Sequence, residues 1–225
     1  MLKDYDLKQL VSPLLKWFLS HARILPWREE PTSYRVWVSE IMLQQTRVEA
    51  VKSYFERFTK ALPDAEALSV CPEDELLKLW EGLGYYNRVR NMQKAAVEVV
   101  ENYGGQLPAD YEKLLKLKGI GHYTAGAVAS IAYGIPVPAV DGNVLRVLTR
   151  VSADDTDIMK QSFRSEMEAL LEELMHGTGD RNEKNIFSWM EDAVDLRAQV
   201  YHGNLAGAFN QALMELGATV CVPNG

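Results

Sequence analysis

The chain has 225 residues, 47% hydrophobic and 24% charged, with 24 Lys and Arg against 31 Asp and Glu and a net charge of −7. That supports one large domain or two small ones around real cores, and excludes a disordered tail, a disulfide-stapled miniprotein and a collagen-like repeat. No apolar run approaches the ~18 residues of a membrane span; Lys3, Asp4, Asp6 and Lys8 break any signal-peptide pattern, and two cysteines, Cys71 and Cys221, build no disulfide framework, which points to a reducing interior.

The elements read as helices in chain order. Leu7, Leu10, Leu14, Trp17 and Phe18 recur at helical spacing, with Pro26 ending the segment. Val36, Trp37, Glu40, Ile41 and Gln44 fit a second helix opened by Pro31 and Thr32, and a third runs from Val48 to Phe58. Pro72, Glu73, Asp74 and Glu75 open a fourth, since proline suits a first turn and acids suit the positive end of the helix dipole. Asn87 to Tyr103 is a long amphipathic segment stopped by Gly104 and Gly105. Tyr111–Leu117 and Tyr123–Tyr133 flank a tight Gly119-Ile120-Gly121 turn. Helices over Gly142–Val151, Phe163–Met175 and Leu205–Leu216 complete the chain, with a Gly177–Asp180 loop between the last two. No alternating strand pattern appears, so the predicted fold class is all-α.

The negative charge is local. From Ser152 to Asp195 there are 12 Asp and Glu against 4 Lys and Arg, a net of −8, which leaves +1 on the rest. A polyanionic partner is therefore open to everything outside that stretch, whose own acidic face, including Asp154, Glu172, Glu173 and a helix near Met190–Tyr201, is expected to lie away from it. Positive groups are expected to concentrate at the Gly119–Gly121 turn and around Arg88 and Arg90.

Five segments carry candidate chemistry. In Leu117-Lys118-Gly119-Ile120-Gly121-His122-Tyr123-Thr124, two glycines let the backbone approach a ligand closely, and the following helix offers free N–H groups to a phosphate. This resembles the helix–hairpin–helix of DNA-binding proteins; a plain corner between helices is the alternative. Asp141, before Gly142 and Asn143, reads as a helix N-cap, which also fixes a carboxylate in direction. Glu40 sits among Val36, Val38, Ile41 and Leu43; an acid so packed has its charged form disfavoured and suits a general acid, the alternative being an exposed residue paired with Arg35 or Arg47. Gly82-Leu83-Gly84-Tyr85-Tyr86 is either a base-stacking loop or a helix-ending turn with packed tyrosines. Leu25-Pro26-Trp27-Arg28 is a short aromatic–basic patch open to either reading.

In order, these segments together with Ser39–Thr46, Phe209–Leu213 and Leu216–Cys221 resemble the MutY-type adenine DNA glycosylases of the endonuclease III-like helix–hairpin–helix superfamily. The resemblance implies a six-helix barrel over residues 27–133, and a second helical domain from residues 1–26 and 134–225 that leads toward an iron–sulfur motif. It implies a base-excision-repair enzyme that hydrolyses the N-glycosidic bond of adenine opposite 8-oxoguanine or guanine, acting as a monomer on double-stranded DNA, with no membrane partner, in a bacterial-type cytoplasm. By the same resemblance Glu40 is the general acid, Asp141 stabilises the oxocarbenium-like sugar, and Tyr123 and Asn143 position water and these acids. Leu25, Trp27, Arg28 and Gln211 would form the adenine pocket. Gln45 and Tyr85 would enter the duplex around the opposite base, and Thr46 and Leu83 beside them would also bind substrate. Lys118, Gly119, Gly121, Tyr123 and Thr124 would hold phosphate, with a monovalent cation at the hairpin. Bifunctional relatives carry lysine where this chain has Tyr123, which implies a monofunctional enzyme because a phenol forms no imine. The family's [4Fe-4S] cluster takes four cysteines, of which Cys221 matches the first; the chain reads as a fragment that ends inside that motif. Thymine excision from mismatches and structural DNA binding without chemistry are the rival readings. The adenine-pocket residues oppose the first, and the presence of both carboxylates opposes the second.

Overall fold

The computed structural model describes residues 5–176, 186–189 and 193–223. The expected Gly177–Asp180 loop, and the start of the acidic helix at Met190, lie outside the described residues. Those described are helical, and no strand occurs among them.

Ile24–Ala132 form one compact unit. It opens with α2 (Pro26–Glu29), which follows α1 (Lys8–His21) of the other unit. Pro26 was expected only to end the first helix; it also opens this one, at the first-turn position where its missing N–H costs nothing. Next come α3 (Ser33–Leu43), α4 (Val48–Ala61), α5 (Ala65–Val70) and α6 (Glu73–Trp80). The Thr32 hydroxyl caps α3 by accepting from the Arg35 N–H at 3.3 Å, and Asp64 caps α5 by accepting from the Ala67 N–H at 2.8 Å. Then α7 (Asn87–Tyr103) ends at Gly104, whose φ of 62° suits glycine. The hairpin pair is α8 (Tyr111–Lys116) and α9 (His122–Ala127). The expected helix to Tyr133 widens instead into a π-turn over Val128–Ala132. Fully buried Trp37, Phe55, Phe58 and Trp80 anchor this unit, at roughly 1.5–3 kcal/mol for each large apolar side chain. Phe58 and Trp80 meet edge to face at 5.8 Å.

Met1–Arg23 and Tyr133–Gly225 form the other unit. Beyond α1 it contains α10 (Gly142–Val151), α11 (Gln161–His176), α12 (Ile186–Trp189), α13 (Ala193–Gln199) and α14 (Leu205–Thr219). Its core joins Val11 and Leu15 of α1 to Val147 and Leu148 of α10, Leu171 of α11, and Ala212 and Leu213 of α14. Both ends of the chain thus feed one core. Arg23 closes it: its N–H, Nε and Nη2 all donate to the buried Glu215 carboxylate, at 3.0, 2.6 and 2.9 Å.

Candidate active site

In the unit of residues 24–132, Glu40 lies on α3 and is 5% exposed. Burial follows from the placement of the helix, not from its register: every residue from Val36 to Met42 is buried, so α3 is enclosed on all sides and carries the acid inside with it. Tyr123, on α9 after the hairpin, donates its phenolic O–H to Glu40 Oε2 at 2.5 Å. An acid and a hydroxyl 83 residues apart in sequence are thereby brought into contact. The alternative of an exposed Glu40 paired with Arg35 is not what the structure contains: Arg35 Nη2 donates to the Pro26 carbonyl at 2.8 Å and its guanidinium stacks on Phe55.

That arginine also fixes the short aromatic–basic segment. Pro26 opens α2, Leu25 and Trp27 are buried, and Trp27 meets Phe55 edge to face at 5.4 Å. Arg28 is half-buried.

Two turns carry the residues expected to enter a duplex. After α3, Gln45 is exposed at φ 60°, and Thr46 follows with its N–H on the Leu43 carbonyl at 3.3 Å. After α6, Gly82 has φ 100° and packs so tightly that a Cβ there would strike the Tyr54 hydroxyl. Leu83 is buried and Tyr85, at φ 46°, is 68% exposed. Left-handed backbone at a glutamine and a tyrosine carries strain of roughly 1–2 kcal/mol each.

The hairpin itself holds Gly119 at φ 80°, where a Cβ would come within 2.9 Å of Asn91 Cβ. Lys118 and Gly121 are exposed, and Thr124 is buried. The basic patch expected around Arg88 and Arg90 does not form. Arg90 Nε pairs with Glu73 at 2.7 Å, and Arg88 directs its donors inward to backbone carbonyls. Local sequence shows two arginines; it does not show what they face.

In the unit of both chain ends, Asp141 caps α10, its Oδ1 accepting from the Val144 N–H at 2.9 Å. Its Oδ2 accepts from Asn143 Nδ2 at 2.7 Å. Both oxygens thus accept a hydrogen bond, which fixes the direction of the carboxyl group. Three residues that local reading missed support this pair. Asn210, fully buried on α14, accepts from the Ala139 N–H at 3.1 Å and donates to the Val137 carbonyl at 2.9 Å, which fixes the segment leading to Asp141. Arg146 Nη2 donates to Asn143 Oδ1 at 2.8 Å and to the Gly217 carbonyl at 2.7 Å, and its Nε donates to the Cys221 carbonyl. Gly217 lies so close that a Cβ would sit 2.5 Å from Asn143 Cβ. Gln211, half-buried on α14, donates to the Gly207 carbonyl at 3.3 Å.

The cysteines do not fit a four-thiolate cluster. Cys71 is buried in the other unit, where burial pushes its thiol pKa up, and Cys221 supplies one thiol after α14. Among the described residues no group of three or more His, Cys, Asp or Glu is placed to hold a metal ion, and no helix is long and apolar enough to cross a membrane.

Against known proteins, the profile of the HhH-GPD superfamily of base excision DNA repair proteins matches residues 38–174. The chain is 40% identical over 227 residues to the adenine DNA glycosylase of Mus musculus, covering 97% of this chain and 39% of that protein. It is 35% identical over 210 residues to the adenine DNA glycosylase of Buchnera aphidicola, covering 93% of this chain and 52% of that protein. The chain thus spans about two fifths to a half of the length of these curated relatives. Its fold is similar to a thermostable thymine-DNA glycosylase, with a TM-score of 0.73 and 25% identity over 96% of this chain and 88% of that one. It is also similar to the endonuclease III of a non-covalent DNA complex, with a TM-score of 0.69 and 20% identity over 100% of this chain and 89% of that one, a likeness of fold.

Proposed function

Because the chain belongs to the HhH-GPD superfamily of base excision DNA repair proteins, we propose that it is a monofunctional adenine DNA N-glycosylase. Its substrate is adenine opposite 8-oxoguanine or guanine in duplex DNA. The observation that carries this reading is Glu40, a buried carboxyl in contact with the Tyr123 hydroxyl at 2.5 Å.

The chemistry follows from what each group can do. Adenine leaves the base stack before its glycosidic bond is reached. Glu40 donates a proton to the adenine ring, so the base departs neutral as the bond to C1′ breaks. The sugar is left as an oxocarbenium-like cation. The Asp141 carboxylate, held by Asn143 and the Val144 N–H, stabilises that charge, and water then adds at C1′ as its proton passes to the Glu40 carboxylate, which restores the acid. Tyr123 orients the Glu40 carboxyl. A phenol forms no imine with the opened sugar, so the product is an abasic site on an unbroken strand. Leu25, Trp27, Arg28 and Gln211 contact the adenine; Gln45 and Tyr85, the exposed residues of the two turns, enter the duplex, with Thr46 and Leu83 beside them as further substrate-binding residues; Lys118, Gly119, Gly121 and Thr124 hold backbone phosphate. No step runs through an iron–sulfur cluster, which the cysteines of this chain do not fit.

The test is to incubate the chain with duplex carrying adenine opposite 8-oxoguanine and reveal abasic sites with alkali. Excision of adenine is the expected result. No abasic product, or excision only of thymine opposite guanine, overturns the reading. Glu40→Gln is expected to abolish excision while duplex binding stays within about twofold; retained excision overturns its role as the acid.

A further inference from the structure

Arg88 occupies an unfavourable position for a cation. It is the second residue of the 17-residue helix α7, at the positive end of the helix dipole, where an acid is stabilising and a cation is not. It is half-buried, and burial pulls its guanidinium pKa below the ordinary arginine value. Its Nε is buried without a hydrogen-bond partner. Helix stability accounts for none of this, but its contacts do.

Arg88 Nη1 donates to the carbonyls of Ile41 at 2.9 Å and Gln44 at 2.5 Å, at the end of α3. Its Nη2 donates to Leu83 at 2.9 Å and Gly84 at 3.2 Å, in the loop after α6. The plane lies over Trp80 at 5.6 Å and Tyr85 at 5.5 Å, and Trp80 Nε1 also donates to the Gly84 carbonyl at 3.1 Å. One planar fork therefore satisfies carbonyls of two separate turns. Each of those turns contains, one residue beyond a carbonyl it holds, an exposed non-glycine residue in left-handed conformation: Gln45 after Gln44, and Tyr85 after Gly84. Strain of that kind persists only where the surroundings over-determine the backbone.

We propose that Arg88 is a positioning residue that locks the Gln44–Thr46 turn and the Gly82–Tyr85 loop into one rigid body, so that Gln45 and Tyr85 reach the DNA duplex as a pair. The inference deepens the glycosylase reading and rests on its assignment of both residues to the duplex. Arg88 touches neither substrate nor reacting atoms; it acts through the two turns. Lysine cannot replace it, because a single ammonium lacks the planar spread of donors that spans four carbonyls.

The experiment uses the 225-residue chain and a duplex with 2-aminopurine beside adenine opposite 8-oxoguanine, where fluorescence rises as the stack opens. The unmodified chain should raise the signal. Arg88→Lys should cut that rise by more than half, while its melting temperature and its affinity for matched duplex change little. Adding Arg88→Lys to the Gln45→Ala/Tyr85→Ala double variant should cause no further loss, because the residues through which it acts are gone. An undiminished rise in Arg88→Lys overturns the proposal, as does an equal further loss in the double-variant background. Should Arg88→Lys fail to fold, hydrogen exchange on the unmodified chain decides. Amides of residues 44–46 and 83–86 should open as one kinetic unit, and independent opening overturns the lock. No rise with the unmodified chain overturns the duplex-entry reading and this proposal with it, whereas a normal rise with an unaffected variant overturns this proposal alone.

Discussion

A single methylene decides how closely Asn143 can approach α14. Gly217 is buried on that helix, and a Cβ there would lie 2.5 Å from Asn143 Cβ and 2.8 Å from its carbonyl oxygen. The carbonyl oxygen is backbone and the Cβ is bonded directly to the backbone Cα, so neither swings aside as the far end of a flexible side chain does. Asn143 is meanwhile committed to Asp141 and Arg146. Gly217→Ala is therefore expected to cost about 1–3 kcal/mol by overpacking, and to slow adenine excision because Asn143 and Asp141 part. Thermal melting and single-turnover excision check it; a variant that melts and cleaves like the parent would show that α14 yields freely. Glu40 illustrates the converse at the same scale: its exposure was undecidable from neighbours in sequence, and a contact with Tyr123, 83 residues away, settles its surroundings.

Helix α10 combines a stabilising cap with a candidate catalytic group in one side chain. Asp141 Oδ1 takes the Val144 N–H and Oδ2 takes Asn143. The two roles separate by substitution. Asparagine caps a helix as well as aspartate, and alanine does not. Asp141→Ala should thus melt lower than Asp141→Asn by about 1 kcal/mol, or about 2–4 °C for a chain of this size, while both lose excision because neither carries a negative charge to the sugar. If Asp141→Asn cleaves normally, the residue is a cap and no more. The boundaries of α7 and α10 were legible for the same local reason: Gly104 and Gly105 stop the first, and Asp141 starts the second. Helix α5 was not legible, because six residues between Asp64 and Cys71, with Ala65 and Leu68 buried, are too few to establish a period. The π-turn at Val128–Ala132 was hidden as well. Small residues carry no marker of a widened turn, although Ser130 bonds back to the Gly126 carbonyl at 2.7 Å.

On the scale of the molecule, one unit depends on chain ends being held together. Arg23 and Glu215 are 192 residues apart, and Glu215 is 1% exposed while it accepts three donors from Arg23. Glu215→Gln keeps the shape and removes the charge. Losing charge-assisted bonds of this kind costs about 2 kcal/mol, which in a chain of this length lowers the melting temperature by about 4–8 °C. An unchanged melting curve would mean that the apolar contacts of α1 alone retain it. The charge balance also reads differently in three dimensions. The net of −7 includes a −8 stretch from Ser152 to Asp195, and three cations outside that stretch have carboxylate partners: Arg90 with Glu73, Lys52 with Glu49, Arg23 with Glu215. Those three are engaged within the protein, whereas the N–H groups of the hairpin can bind phosphate without any net charge.

The sequence by itself determined the helical class, the order of the longer helices, the hairpin glycines and the capping role of Asp141. Each of these rests on interactions within a few residues: helix period, N-cap hydrogen bonds and left-handed glycine backbone. Only the tertiary structure decided that Glu40 is buried against Tyr123, that Arg88 gathers two turns instead of joining a basic patch, and that Arg146 and Gly217 hold Asn143. Those partners lie between 3 and 83 residues apart, mostly tens of residues. A donor shows its type in the sequence, but its acceptor becomes known only when the packing of distant helices brings a particular carbonyl or carboxylate within about 3 Å.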